Sequence, residues 1–194
     1  VTMTGEERAA YARLAAAALL DTLHTVLAVG AERDWPVVVA MTGDLDHAAL
    51  GDEIADVLAR ATVVPQRGDG LDQRLAHAHA DASAATGTAG VVQVGMDTPQ
   101  LTPDDYVVAG QAVLAGERVL GPADDGGWWL LGLPDATAAA ALVGVPMSTD
   151  RTADATAAAM DVTTRLPTER DMDTWADAQL VAVDAPASRL ASAV

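Results

Sequence analysis

Three short acidic stretches and one basic loop concentrate the side chains that could do chemistry. Asp97 stands in Gly95-Met-Asp-Thr-Pro99, directly after an apolar run. A strand ladder fixes its last residue in space, and Pro99 stiffens the loop beyond it. That suits a carboxylate holding a hard divalent cation. Mg²⁺ takes one or two protein carboxylates and completes its shell with water and phosphate oxygens. The spacing alone is equally compatible with a carboxylate that caps its own loop.

Asp124-Asp125-Gly126-Gly127 packs two acids against two glycines, which let backbone amides approach a ligand or take positive φ. Asp-Gly is also the commonest hairpin signal, so a turn between two strands explains the pair without a ligand. Trp128-Trp129 comes next. Strand side chains alternate, so one indole is expected to point away from the core and offer a stacking surface beside the acids. Asp171-Met-Asp173 sets two more carboxylates before a helix, where Asp173 reads most simply as an N-cap. Asp44-Leu-Asp46 reads as a cap and nothing more. Arg67 and Arg74 flank the Gly68-Asp-Gly70 loop and are candidates to hold phosphate, or else ordinary surface pairs.

Other chemistries are excluded. There is no cysteine, hence no disulfide framework, thiolate zinc site or cysteine nucleophile. His77 and His79 lie two apart on a helix and cannot chelate together. Neither a P-loop nor a Gly-x-Ser-x-Gly elbow occurs. The net charge of −17 repels nucleic acid and anionic membranes. An anionic substrate would need that repulsion cancelled, and a carboxylate-held divalent cation does so.

The elements that must position these groups are legible in outline. Thr4-Gly-Glu-Glu7 is a capping box opening a helix to about Val29, with Leu14, Leu19, Leu20, Leu23 and Leu27 on its apolar stripe. Buried strands are expected at 35–41, 61–65, 90–95, 118–120 and 128–133. Helices are expected at 44–60, broken near Gly51, and at 71–85. A third starts after Thr102 with Pro103 at its first position, and others lie at 135–142, 149–160 and after Asp173. A short extended piece falls near 165–167, and the tail after Pro186 is small and polar. Alternating strands and helices predict an α/β fold: a Rossmann-like, mostly parallel mixed sheet with helices on both faces. Such sheets bind ligands beyond the carboxyl ends of their strands, where both Asp97 and the 124–127 turn fall.

Hydrophobic residues make up 51% of the 194 residues and aromatics 3%, an alanine- and valine-rich balance that suits close-packed helices. The length fits one domain without linkers. With no uninterrupted apolar span or leader pattern, the expectation is a soluble cytoplasmic protein.

Taken together, Gln66–Leu75, Val94–Pro99, Leu120–Gly132 and Asp171–Thr174 resemble, in order, a bacterial family of glycosyltransferase-like proteins. That family stands beside the arsenosugar-biosynthesis glycosyltransferases and, further off, the molybdenum-cofactor and phospholactate guanylyltransferases. The resemblance implies a GT-A, nucleotide-diphospho-sugar transferase fold. It implies transfer from a nucleotide-activated small-molecule donor with Mg²⁺ or Mn²⁺, by sugar or by nucleotidyl transfer. A catalytically silent partner subunit of the same fold is the alternative from another class. The resemblance carries the metal role to Asp97 and Asp173, and catalysis to Asp97 and Asp125. It carries phosphate binding to Gln66, Arg67, Gly68 and Arg74, and the acceptor side to Thr98, Asp124, Gly126, Gly127 and Trp128. A homo-oligomer is compatible with it. The family opens with a central strand and a glycine- and lysine-containing loop, and nothing before Thr4 resembles either. The expectation is a single domain over residues 1–194 whose first strand is supplied from elsewhere.

Overall fold

The structure is a computed structural model that describes residues 4–194. Helix α1 (Gly5–Arg33) starts as its sequence requires. Thr4 Oγ1 accepts from the Glu7 amide, and Glu7 Oε2 accepts from the Thr4 amide. By length and composition α1 is apolar enough to cross a membrane, yet more than half of its most apolar stretch is buried inside the protein. Leu20, Leu23 and Leu27 pack on α2 (Gly51–Leu58) and strand β1 (Val38–Met41). Val26 and Val29 pack toward α4 (Pro103–Leu114) and strand β3 (Val91–Val94). One helix therefore covers two separate strands.

The chain is an α/β protein built on two sheets. In one, β1 pairs in parallel with β2 (Thr62–Pro65). In the other, the spatial order is β3, β5 (Trp128–Leu133), β4 (Val119–Pro122) and β6 (Thr164–Arg165). Strand β5 runs antiparallel to both neighbours, while β4 and β6 are parallel, so the pairing is mixed. Helix α3 (Leu71–Thr86) packs on β1, β2 and β3 from the face opposite α1. Against it lies a 3-10 helix, Ala136–Leu142, where the sequence predicts helix. Helices α5 (Thr152–Ala159), α6 (Trp175–Asp184) and α7 (Arg189–Ala193) complete the chain.

Most predicted elements fall within a few residues of their expected bounds. Three differ. The 44–50 stretch is a turn, not helix: Asp44 Oδ1 accepts from the Asp46 amide, so the pair bends the chain and caps no helix. The tail holds α7, whose first amides at Arg189 and Leu190 donate to the Asp21 carboxylate on α1. Leu190 is fully buried there, a long-range contact with no local signal. The third is at the paired tryptophans. Trp129 is buried and donates to Pro167 O, while Trp128 is half-buried and donates to Thr156 Oγ1. Neither indole is exposed, because helices cover both faces of β5 and claim both sides of the alternation. The Trp129 indole lies where a Cβ at Gly121 would stand, so the β4 glycine makes room for it.

Candidate metal centre

The end of β3 lies level with the start of β5. Val94 faces Leu130, and the Gly95 amide donates to Trp129 O at 3.1 Å. Asp97 and the 124–127 turn thus occupy one end of the sheet. The turn closes between β4 and β5 through Ala123 N to Gly127 O (2.9 Å) and Gly126 N to Ala123 O (3.1 Å). Asp125 Oδ1 accepts from the Gly127 amide at 2.6 Å, which aims the carboxylate back over the turn. Gly126 has φ +90°, and the backbone of Asp150 stands where its Cβ would be, so only glycine fits.

A second segment zips onto this turn. The Glu169 amide donates to Pro122 O and the Asp124 amide to Glu169 O, extending the β4 edge past its end. Gln100 Nε2 donates to Arg170 O at 2.7 Å, tying the loop after Asp97 to the same segment. Arg170 lies 3.4 Å from Asp124 and 3.5 Å from Asp177. These bonds deliver Asp171 and Asp173 to Asp125, and one oxygen from each of the three lies within 4.8 Å of the others. Asp173 is free to join, because Thr174 caps α6 in a reciprocal box with Asp177.

The group repels itself. Burial, and then the charges of Asp173 and Asp125, push the half-buried Asp97 above the ordinary carboxylate range. Burial, then Asp125, Asp173 and Asp97, push Asp171 up to about 6. Asp97 is thus electrically part of the cluster. Carboxylates held this close are the hard oxygen donors that a small divalent cation takes. Octahedral Mg²⁺ at about 2.1 Å sets its ligand oxygens roughly 3 to 4.2 Å apart, so the three carboxylates fit such an ion after a small inward movement.

The family profile described as "Uncharacterized protein conserved in bacteria (DUF2064)" matches residues 22–149, more than half of the chain. The chain belongs to that family. The matched stretch holds Asp97 and the 124–127 turn, whereas Asp171 and Asp173 lie beyond it. A crystal structure of a protein from Desulfovibrio desulfuricans G20, described as a putative nucleotide-diphospho-sugar transferase, is similar in fold. The TM-score is 0.66 at 22% identity, over 84% of this chain and 72% of that one. No curated protein matches the sequence.

Within this family member, the predicted site residues divide. Asp97, Asp125 and Asp173 converge, and Asp124, Gly126 and Gly127 frame them. Asp171 joins them from an Asp-x-Asp spacing whose simplest sequence interpretation is a helix cap. Thr98 is fully buried, with no partner for its hydroxyl among the described residues, so it faces the interior instead of a substrate. Trp128 is committed to Thr156.

The basic loop is a separate structure. Arg67 makes a two-pronged bond to Asp81, Nε to Oδ2 at 2.8 Å and Nη2 to Oδ1 at 2.7 Å. Arg74 donates from Nε to Gly68 O, and the Gln66 amide donates to Met41 O. Gly68 has φ +128° and presses on Gln73 and Arg74, so it shapes the loop itself.

Proposed function

We propose that the protein is a divalent-metal-dependent transferase acting on a nucleotide-activated donor, as a glycosyltransferase-like enzyme. The observation that carries this is the convergence of Asp125, Asp171 and Asp173 beside Asp97 at the strand ends, where Asp97 and Asp171 hold their protons more tightly than usual. Such a cluster is electrostatically unfinished until a cation enters it. A bound Mg²⁺ or Mn²⁺ would supply neutralising charge for the donor's diphosphate as it leaves.

In this reading Asp97 and Asp173 are the principal ligands, with Asp171 beside them. Asp125, held over the turn by the Gly127 amide, orients or deprotonates the acceptor. Gly126 and Gly127 let the acceptor approach the backbone. Asp124, linked to Arg170, fixes the rim. Thr98 supports the Asp97 loop from below, and Arg74 remains the better candidate for the donor phosphates on the far loop. A nearer kinship to the arsenosugar-biosynthesis glycosyltransferases, and a cytoplasmic setting, belong to the same reading. Nucleotidyl transfer of the guanylyltransferase type would use the same groups.

One observation favours the silent-subunit alternative: the Arg67 guanidinium, a natural phosphate holder, is already taken by Asp81. Titration calorimetry with nucleotide sugars and nucleoside triphosphates, with and without Mn²⁺, separates the readings. Metal-dependent binding that Asp97→Ala abolishes supports the transferase. Absence of binding under every condition would leave the silent subunit.

A further inference from the structure

The chain has no lysine, so arginine alone supplies its fixed positive charge. Several arginines are firmly committed. Arg67 is held two-pronged by Asp81, and Arg118, just before β4, donates to Met160 O at 2.7 Å. Arg170 differs in its place. It immediately precedes Asp171, and its Nη2 stands 3.4 Å from Asp124, the chain neighbour of Asp125. Along the chain on one side and across an ion pair on the other, it adjoins two carboxylates of the cluster.

Arg170 also differs in how it is held. Its Nη1 lies 3.5 Å from Asp177, whose other oxygen already accepts from the amide and hydroxyl of Thr174. The spacings to Asp124 and Asp177 are longer than the roughly 2.7–2.9 Å of a well-made charge-assisted bond. A guanidinium carries five N–H donors in a rigid fork. Two carboxylates at this range fix the group without saturating it, and its side chain remains 40% exposed. The stem beneath is firmer, since Gln100 Nε2 donates to Arg170 O at 2.7 Å and Glu169 pairs along the β4 edge. The result is a partly free fork on a fixed stem.

The charge balance at this end of the sheet asks for such a group. Asp97, Asp124, Asp125, Asp171 and Asp173 gather there, and a divalent ion cancels only two charges. A diphosphate arriving on that ion adds further negative charge. A cation that shares a metal-bound diphosphate must stand beside the metal ligands. Arg67 and Arg74 belong to the separate basic loop, whereas Arg170 is next to Asp171. A planar guanidinium also matches two phosphate oxygens at once, which a point-charge ammonium does not.

We propose that Arg170 is a phosphate-binding residue of this site, its guanidinium gripping the donor's diphosphate beside the metal ion while Asp124 and Asp177 hold it in position. The proposal rests on the metal-dependent reading above and adds a second cation to it.

The test is titration calorimetry on the full protein with Mn²⁺ alone, then with inorganic pyrophosphate or inorganic phosphate in saturating Mn²⁺. Arg170→Gln is expected to bind Mn²⁺ like the unaltered protein and pyrophosphate about 10-fold or more weakly. Arg170→Lys keeps the charge and loses the fork, so its pyrophosphate affinity should fall between the two. Arg33→Gln is the control. Arg33 is 39% exposed and ends α1 close to Trp35, which packs on Gly110 in the half of α4 away from the cluster. Its loss should leave both affinities unchanged. No pyrophosphate binding by the unaltered protein, or undiminished binding by Arg170→Gln, overturns the proposal and leaves the metal reading intact. An equal loss in Arg33→Gln, which would trace to net charge, overturns it too. So does a parallel loss of Mn²⁺ affinity in Arg170→Gln, which would make the arginine only a support for Asp171. A loss confined to inorganic phosphate would give Arg170 to a monophosphate group and also overturn it. If the unaltered protein binds no Mn²⁺, the metal reading fails and the proposal falls with it. Should Arg170→Gln melt too early to titrate, Arg170→Lys decides alone. Pyrophosphate binding weakened by roughly 3-fold or more with Mn²⁺ binding intact upholds the proposal, and unaltered affinity overturns it.

Discussion

The β3–β5–β4–β6 sheet and the β1–β2 pair are made of similar apolar runs and covered by helices of the same chain, yet they are finished to different degrees. In the first, Leu120, Leu130, Leu131 and Leu133 are fully sealed, and the strand ends lie beside a cluster of three carboxylates whose charge Asp97 feels. In the second, Val63 is 48% exposed, β1 is half-buried throughout, and the loop at its end is tied up in its own arginine–aspartate pair. Burial here follows ladder completion more than composition. A strand closed on both edges draws its helices down onto it, while a strand with an open edge leaves them partly unsupported.

The contrast is sharpest in the core. Leu131→Ala is expected to cost about 3 to 4 kcal/mol, because a fully sealed leucine leaves a cavity that cannot collapse. Val39→Ala on the open side is expected to cost about 1 kcal/mol, since its surface is already partly wet. Urea denaturation of both variants checks this, and equal costs would erase the distinction.

His79 lies on α3, the helix shared by both sheets. It is fully buried, and among the described residues neither ring nitrogen has a partner. Burial lowers its pKa to about 4. The unfolded chain takes up this proton near pH 6.5 and the folded one does not. Stability should therefore be full above about pH 6.5 and fall by up to about 3 kcal/mol as pH drops toward about 4. His79→Leu is expected to flatten that slope in thermal unfolding across roughly pH 4–8.

The acidic cluster titrates in the opposite sense. Asp171 holds its proton up to about 6 instead of 3.8, so in the metal-free protein its contribution to stability is full below about pH 3.8 and is lost as pH rises to about 6. Mn²⁺ at about 100 times its dissociation constant should add about 2.7 kcal/mol at about pH 7.5. Asp97→Asn should weaken that gain, and the gain should shrink below about pH 6. Differential scanning fluorimetry with and without Mn²⁺ reads all three effects. The smallest change belongs to the open half. Arg67→Ala removes a largely solvent-exposed pair and should leave the urea midpoint nearly unchanged. A larger loss in urea melts would mean that the loop is part of the core structure.

Much of this was legible in the residues, and the limits have a common cause. The valine runs around β1 and β3, the Thr102–Pro103 start of α4 and the Asp-Gly turn are local signals, and each appears where expected. Asp97 at a strand end and the Asp-x-Asp pair were visible as residue types. Their meeting was not, since it depends on Glu169 pairing with Pro122 and Gln100 reaching Arg170, contacts up to about seventy residues apart.

Residue order alone dictated where strands and helices begin, which side chains are apolar, and how many acids gather near strand ends, because those features arise from propensity, capping and spacing along the chain. It took the folded arrangement to put β5 between β3 and β4, to cover both indoles of the Trp128–Trp129 pair, to bring Asp171 into the cluster and leave Arg67 outside it, and to hold β1 and β3 apart. Strand order and hydrogen-bond phase are choices between distant partners, and a one-dimensional pattern carries no record of which partner wins.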